Sequence, residues 1–490
     1  MKYKITAVIT AAVILVVSVF FSLPDYKNTK RVHQHLESPV ITECDCDKSQ
    51  LCTHLPIITI DTAGQEIPGK AVKNELGQTE YTTTASGETR IYAHLNAIDN
   101  TDSRNHPTDK PSVSSKISMR VRGNSSRWFD KSNYYIKLVK EDLSNNPQSM
   151  RGMDSHHEWA LHGPFLDKTL IRNYMCYNIA GEIMDYAPNV RFCELILNGE
   201  YKGVYLLCET ITAGTEGARL NLTVDKKDNT FNGYCIRLDR IDDDDTQNIT
   251  PFTKYTIRTK LQQSIVYPGR ANMTDELQTA IKDDFSAFEK SLYSYDFDNK
   301  KYGYDELIDV QSFVDYFIIN EFSCNYDAGW LSTYMYKDHD GKFRMCVWDF
   351  NSAFEGYQES FMTADHFEMQ NCLWYFMLFK DEDFTDRIIS RYRELRKTYL
   401  SDEYLNNYID ETIAYLGDAI DRNYEVWGYT FGEEYDLFTP ADRNPRDYET
   451  AVADMKEFIA VRSKYMDENI ETLRQYSAES KIKKFNENAN

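Results

Sequence analysis

Asp327 and Asp349 are the residues of this 490-residue chain whose type and spacing best suit chemistry. Asp327 closes the run Asn325-Tyr326-Asp327, and Asp349 stands in Trp348-Asp349-Phe350-Asn351. Between them lies Tyr334-Met335-Tyr336-Lys337-Asp338-His339-Asp340-Gly341-Lys342. Two carboxylates that converge at loop and strand ends suit phosphoryl transfer. One orients a hydroxyl nucleophile or accepts its proton, while the other holds Mg²⁺ against nucleotide phosphates. A purely structural reading stands beside this one, with Asp327 capping a turn and Asp349 closing a strand, because isolated Asp pairs are common.

The elements that must position the pair are legible nearby. Leu307, Val310, Phe313, Val314, Phe317 and Ile318 share one face of a helix expected from Asp305 to Phe322, with Asp305 as N-cap. Alternation and β-formers predict strands over Thr333–Lys337 and Phe343–Trp348, joined at Asp340-Gly341, which supplies the positive φ of a tight turn. Such a hairpin returns Asp349 towards Asp327.

Further blocks bear on the same chemistry. Arg122-Gly123-Asn124-Ser125-Ser126-Arg127 is a small-residue loop flanked by guanidinium groups, a combination that can bind a phosphate. Lys137 follows in the strand-like Tyr134-Tyr135-Ile136-Lys137-Leu138, a position from which a lysine can reach phosphates. A helix is expected over Asp167–Met184, with Leu170, Ile171, Tyr174, Met175 and Ile183 close to one face. Asn198-Gly199 marks a hairpin between strands Phe192–Leu197 and Tyr201–Cys208.

Taken together, the blocks resemble the CotH (spore coat protein H) kinase family. The motifs are R-G-N-S-S-R, L-D-K-T-L-I-R-N, L-N-G-E-Y-K-G-V-Y-L-L-x-E and N-Y-D…W-D-F, in the family's order over about residues 56–380. The resemblance implies an α+β, atypical protein-kinase-like two-lobed fold: a β-rich N-terminal lobe and a mainly helical C-terminal lobe with a helical cap. It also implies an enzyme that uses ATP and Mg²⁺ (or Mn²⁺) to phosphorylate Ser or Thr of a surface or coat protein. On that template Asp327 matches the catalytic Asp and Asp349 the metal-binding Asp. Asn325 and Ser332 complete the metal set, and Arg122, Arg127 and Lys137 are the phosphate contacts. Glu182, or alternatively Glu209, would pair with Lys137.

Three departures stand out. Ser332 occupies a position where the family commonly has Asn, Asn351 replaces an acidic residue, and Glu355 stands at the usual glycine. They keep two alternatives in view: a catalytically silent kinase-like surface scaffold or adhesin, and an AMP transferase on the same fold.

Composition sets outer limits. A net charge of −22 excludes a nucleic-acid backbone as partner. The tyrosines, 35 in number, could form a sugar-binding surface but read as core and rim residues. Met1-Lys2-Tyr3-Lys4 precedes an uncharged apolar run, Ile5–Leu23. Read as a helix, that run nearly crosses a ~30 Å hydrocarbon core at ~1.5 Å per residue. The expectation is a single-pass signal anchor in the cell membrane with the body outside the cytoplasm, or alternatively a cleaved signal peptide and a secreted body.

The expected organisation is therefore signal segment 1–24, polar tether 25–55, β-rich lobe with an inserted helix 56–300, helical lobe carrying the catalytic loop 301–475, and a disordered tail 476–490. Within it, Asp402–Ile420 and Thr450–Leu473 read as helices of the cap, and the acidic run Asp242–Asp245 as a solvated loop. Cys44, Cys46 and Cys52, with His54 nearby, match no familiar zinc spacing and read as a disulfide or surface thiols. The remaining cysteines read as small buried hydrophobes.

Overall fold

The computed structural model describes residues 31–47, 49–214, 219–240, 246–255, 262–356 and 363–477. The chain is α+β, β-rich first and helical last. Strand β1 (Ile57–Asp61) is followed by a small exposed hairpin, β2 (Ala71–Lys73) and β3 (Thr79–Tyr81). Then come β4 (Ile91–Ile98), β5 (Val113–Val121), β6 (Tyr134–Val139), β7 (Glu158–His162), β8 (Val190–Leu197) and β9 (Glu200–Glu209). Seven of these close into a barrel in the order β1-β4-β5-β6-β7-β9-β8, with the seam formed by parallel pairing of β1 with β8.

Period-2 alternation explains the closure. In β4, Ile91, Ala93 and Leu95 point inward while Tyr92 and His94 are exposed, and facing strands add Ile117, Met119, Ile136, Trp159 and Leu195 to the same interior. At the β8–β9 turn Asn198 and Gly199 both take positive φ, at 52° and 80°, as a two-residue hairpin requires.

The outward face of β7, β8 and β9 is apolar as well. Ala160, Val190, Phe192, Leu206 and Cys208 join a second core shared with the rest of the chain. That core includes a five-stranded sheet and the helices. A short hairpin, β10 (Val224–Asp225) and β11 (Thr230–Phe231), precedes β12 (Tyr234–Asp239), β13 (Asn248–Ile249) and β14 (Gln262–Tyr267). Strands β15 (Thr333–Lys337) and β16 (Phe343–Cys346) complete the sheet in the order β13-β14-β12-β15-β16. It thus takes strands from both sides of residue 300.

Nine α-helices occur among the described residues. Helix α1 (Gln34–Glu37) lies in the stretch read as a tether, and that stretch packs from Arg31 onward. The Arg31 guanidinium bonds the carbonyls of Tyr177, Ala187 and Pro188 and lies against Gly181, where any Cβ would collide with it. Helix α2 runs from Arg172 to Ile183, later than expected, because Asp167 turns the chain first by accepting from the Thr169 and Arg172 amides.

Helix α3 (Asp275–Leu292) is capped by Thr274 and buries Leu277, Ile281, Phe285 and Phe288 at helical spacing. Helix α4 (Val310–Phe322) starts after Asp309, whose side chain accepts from the Ser312 amide; Asp305 instead falls in a 3₁₀ turn. The C-terminal helices are α5 (Tyr375–Leu378), α6 (Glu382–Leu395), α7 (Asp402–Leu416), α8 (Asp418–Trp427) and α9 (Tyr448–Asn469). The single helix expected over Asp402–Ile420 breaks at Gly417, whose φ of 47° ends α7.

The membrane reading needs correction. Among the described residues no helix is long and apolar enough to cross a membrane. The run Ile5–Leu23 lies outside the described residues, as do the acidic run Asp242–Asp245 and the tail from residue 478. The signal anchor and membrane location are therefore not carried forward.

Candidate functional site

Helix α4 ends at Phe322 and hands the chain to a loop that carries Asp327. Buried Glu321, at the end of the helix, fixes that loop by pairing with fully buried Arg462 of α9. Glu321 also accepts from the Met369 amide at 2.7 Å, and Arg462 donates to the Glu321 carbonyl at 2.7 Å. The Asp327 carbonyl accepts from the Leu331 amide at 2.7 Å, so its backbone closes a turn. Its carboxylate accepts no hydrogen bond among the described residues.

The β15–β16 hairpin delivers Asp349. Its loop closes through the Asp338 amide to the Lys342 carbonyl at 2.9 Å, with Gly341 at φ 83°. Asp349 itself adopts φ 60°, a left-handed conformation that a side-chain-bearing residue holds only when its surroundings enforce it. Helix α2 does the enforcing. Tyr177 Oη accepts from the Asp349 amide at 2.9 Å, Asn173 Oδ1 accepts from the Phe350 amide at 2.8 Å, and Arg172 donates to the carbonyls of Ala353 and Phe354. Asp167 in turn holds Arg172 at 2.6 Å. The Asp167–Asn173 motif is thus the clamp on the turn after Asp349.

Three carboxylates share this junction. Burial raises Asp327 to about 7, and the charge of Asp349 adds to the shift. Burial also raises Asp349 to about 6, against the pull of Arg122 and with a push from Asp239. Asp239, at the end of β12, is raised by burial and faces Arg237, Arg240 and Arg122. Like charges gathered in a half-buried site resist ionisation together. A hard divalent cation relieves that repulsion, and an all-oxygen donor set of this kind fits Mg²⁺ or Mn²⁺. The Asn351 side-chain amide lies against the Asp349 carboxylate.

Of the sequence-predicted cations, Arg122 comes closest to Asp349. Its guanidinium lies 5.0 Å over the Trp348 ring and meets His162 Nε2 at 3.2 Å. Arg127 bonds the Gly123 and Gly69 carbonyls and stacks 4.1 Å over Tyr81, which fastens the loop to β3. Lys137 is on the same outward barrel face as Arg122 but two rows further along the strands, about 13 Å at ~3.3 Å per residue, opposite Ser118 and Glu158.

Between the two, Arg120 is lowered to about 10 by burial and by the charges of Arg127, Arg122 and Arg90. That arginine cluster is an electropositive patch beside the acidic junction. Neither proposed glutamate pairs with Lys137. Glu182 meets His33 and Tyr399, and Glu209 accepts from Asn189, since each projects from the opposite side of its element.

Asn325 and Ser332 flank Asp327. The Asn325 amide nitrogen donates to Asn320 Oδ1 at 3.0 Å, while its buried Oδ1 has no partner. Ser332 is half-buried at φ 47°. Glu355, at the usual glycine position, has φ 67°, and its carboxylate takes Arg443 Nε at 2.8 Å. A cavity of about 470 Å³ opens beside Glu355, Arg172 and Phe438, and none of the three aspartates lines it. Asp239 escaped the sequence reading because only the β12–β15 pairing, from Tyr234↔Lys337 to Leu238↔Thr333, brings it to the junction.

An α+β chain with a barrel first, helices last and carboxylates gathered between an arginine cluster and a clamped turn defines a class by fold and donor set. The family model of the CotH kinase protein matches residues 119–466, and the chain belongs to that family. It is 23% identical over 366 residues to inner spore coat protein H of Bacillus subtilis (strain 168), a match that spans 73% of this chain and 88% of that protein.

Proposed function

We propose that the chain is an ATP-dependent protein kinase of atypical two-lobed architecture, with the barrel as the nucleotide-side lobe and the second sheet with its helices as the other. The observation that carries this reading is that Asp327, Asp349 and Asp239 feel one another's charge, while Arg122 acts on Asp349 and Asp239 and Arg240 on Asp327 and Asp239. Cation ligands and anion contacts side by side are what a metal–nucleotide complex needs.

Asp349 and Asp239 would hold the divalent ion, with Asn325 Oδ1 and Ser332 as further oxygen donors. When bound, the ion neutralises charge on the phosphate oxygens. Arg122 would contact the phosphates, and Lys137, further along the same face, would reach the distal part of the nucleotide. Asp327 orients the Ser or Thr hydroxyl and takes its proton. The hydroxyl oxygen then bonds the γ-phosphorus as the bond to the β-phosphate oxygen breaks, releasing ADP. A carboxylate whose affinity for protons matches neutral pH is suited to that step. The family's name and that of the spore coat relative point to a surface or coat protein as acceptor.

A second reading is favoured by one contact. The Asn351 side-chain amide crowds the Asp349 carboxylate where a metal would bind, which favours a silent scaffold on the same fold. Radiolabel transfer from [γ-³²P]ATP to a basic acceptor protein separates the readings, run with Mg²⁺ or Mn²⁺ on the wild type, Asp327→Ala and Asp349→Ala. Label that vanishes in both variants supports the kinase. A folded chain that neither labels nor binds ATP supports the scaffold, and an acceptor mass gain of one AMP identifies nucleotidyl transfer.

A further inference from the structure

Cys44, Cys46 and Cys52 come together with His106, which is distant from them in sequence. All four ligand atoms lie within 4.8 Å of one another. Cys44 Sγ is 3.5 Å from His106 Nε2. A tetrahedral zinc ion with Zn–S near 2.3 Å and Zn–N near 2.0 Å sets its sulfur and nitrogen ligands about 3.5 Å apart. His54, the histidine adjacent in sequence, is turned away and bonds the Tyr415 carbonyl at 2.6 Å.

The surroundings are ordered around these atoms. Asp109 Oδ2 faces His106 Nδ1 at 3.3 Å and accepts from the His106 amide at 2.9 Å, which directs Nε2 to the sulfurs. Asn100 donates to the same carboxylate oxygen at 2.7 Å and steadies it. A carboxylate on the far nitrogen is the usual companion of a metal-bound imidazole. Arg104 Nε donates to Cys52 Sγ at 3.1 Å, while its other nitrogens bond the Ile41 and Cys52 carbonyls at 2.9 and 2.7 Å. Three thiolates and one Zn²⁺ leave a net charge of −1, which this guanidinium offsets. Reciprocal backbone bonds between Thr53 and Asn105, at 3.1 and 2.7 Å, hold the two ligand-bearing segments together.

We propose that Cys44, Cys46, Cys52 and His106 bind one zinc ion that clamps the segment before β1 to the β4–β5 loop. Three sulfurs and an imidazole select a soft or borderline ion over Mg²⁺ and Ca²⁺. Four protein ligands leave no open position, so the site is structural and stands apart from the carboxylate junction. Binding releases the thiol protons to solvent as the sulfurs take the metal. The sequence leaves a disulfide or surface thiols for these residues, and the structure shows no disulfide among them. Pairing two of the three sulfurs would leave the third thiol and His106 without a role.

The test is elemental analysis of the purified full-length chain, prepared without chelator and without added reductant. One zinc per chain is expected in the wild type and in the control Cys372→Ser. Cys52→Ser and His106→Ala should fall to background, and His106→Ala is decisive because it leaves all three thiols able to form a disulfide. Substitution with Co²⁺ should give the intense visible bands of a tetrahedral thiolate site, a readout on the wild type that does not depend on variants folding. Zinc retained in His106→Ala, iron in place of zinc, or a disulfide among the three cysteines with no bound metal would overturn the assignment.

Discussion

The Phe354 amide donates to the Ser323 carbonyl at 2.7 Å, so the turn after Asp349 is stitched directly to the segment that leads into Asp327. Phe354 also accepts from Arg172, which places α2, the hairpin exit and the end of α4 in one hydrogen-bonded unit. The relative placement of the two aspartates is therefore set by backbone contacts and not by their own side chains.

The raised affinity of Asp327 for protons has a stability consequence. Its folded value of about 7 lies above the ordinary 3.8, so the folded state holds the proton more tightly than the unfolded chain. Stability is then lost as pH rises from about 4, with the loss complete above about 7. Asp327→Asn should raise stability by on the order of 1–2 kcal/mol at pH 8 in metal-free buffer, after allowing for solvent access. The gain should shrink to nothing near pH 4. Chemical denaturation at the two pH values checks this, and a gain of equal size at both would contradict it.

Glu355 combines left-handed strain with an ion pair to Arg443. Glu355→Gly removes both, at a backbone-entropy cost, and should be near neutral. Glu355→Ala keeps the strain and loses the pair, so it should be the less stable variant by about 1 kcal/mol. Thermal melts of the two variants side by side decide the order.

The Glu321–Arg462 pair is buried on both sides. Removing one partner, as in Glu321→Gln or Arg462→Met, should lower stability by about 3–5 kcal/mol because a charge is left unpaired. Replacing both, Glu321→Met with Arg462→Leu, should recover much of the loss in denaturant titrations. A double variant as unstable as the sum of the singles would show that the bonds to backbone, and not charge pairing, hold the loop.

Local signals were legible wherever chemistry is confined to a few residues. Asn198-Gly199 declared its hairpin because a two-residue turn needs positive φ at both positions, whereas the closure of the strands into a barrel was not read from the sequence. Asp305 and Asp309 both precede the same apolar run, and only tertiary placement shows that Asp309 caps α4. Asp327 and Asp349 stood out because a helix end and a hairpin bring them near each other within a short stretch. Asp239 and His106 did not. The first reaches the junction through strand pairing across a long intervening stretch, and the second meets the cysteines through the Thr53–Asn105 bridge. Periodicity carries no information about either contact.

The placement of β12 between β14 and β15 has a consequence for synthesis. Its partner Thr333–Lys337 is made long after Tyr234–Leu238, so the sheet cannot close until the chain has grown past both. A growing chain that has already closed the barrel still lacks the junction where Asp239, Asp327 and Asp349 meet. The site is thus a late product of folding. A chain cut short before the hairpin would lack the strand that brings Asp239 to the junction, and would leave the outer face of β7, β8 and β9 without part of its core.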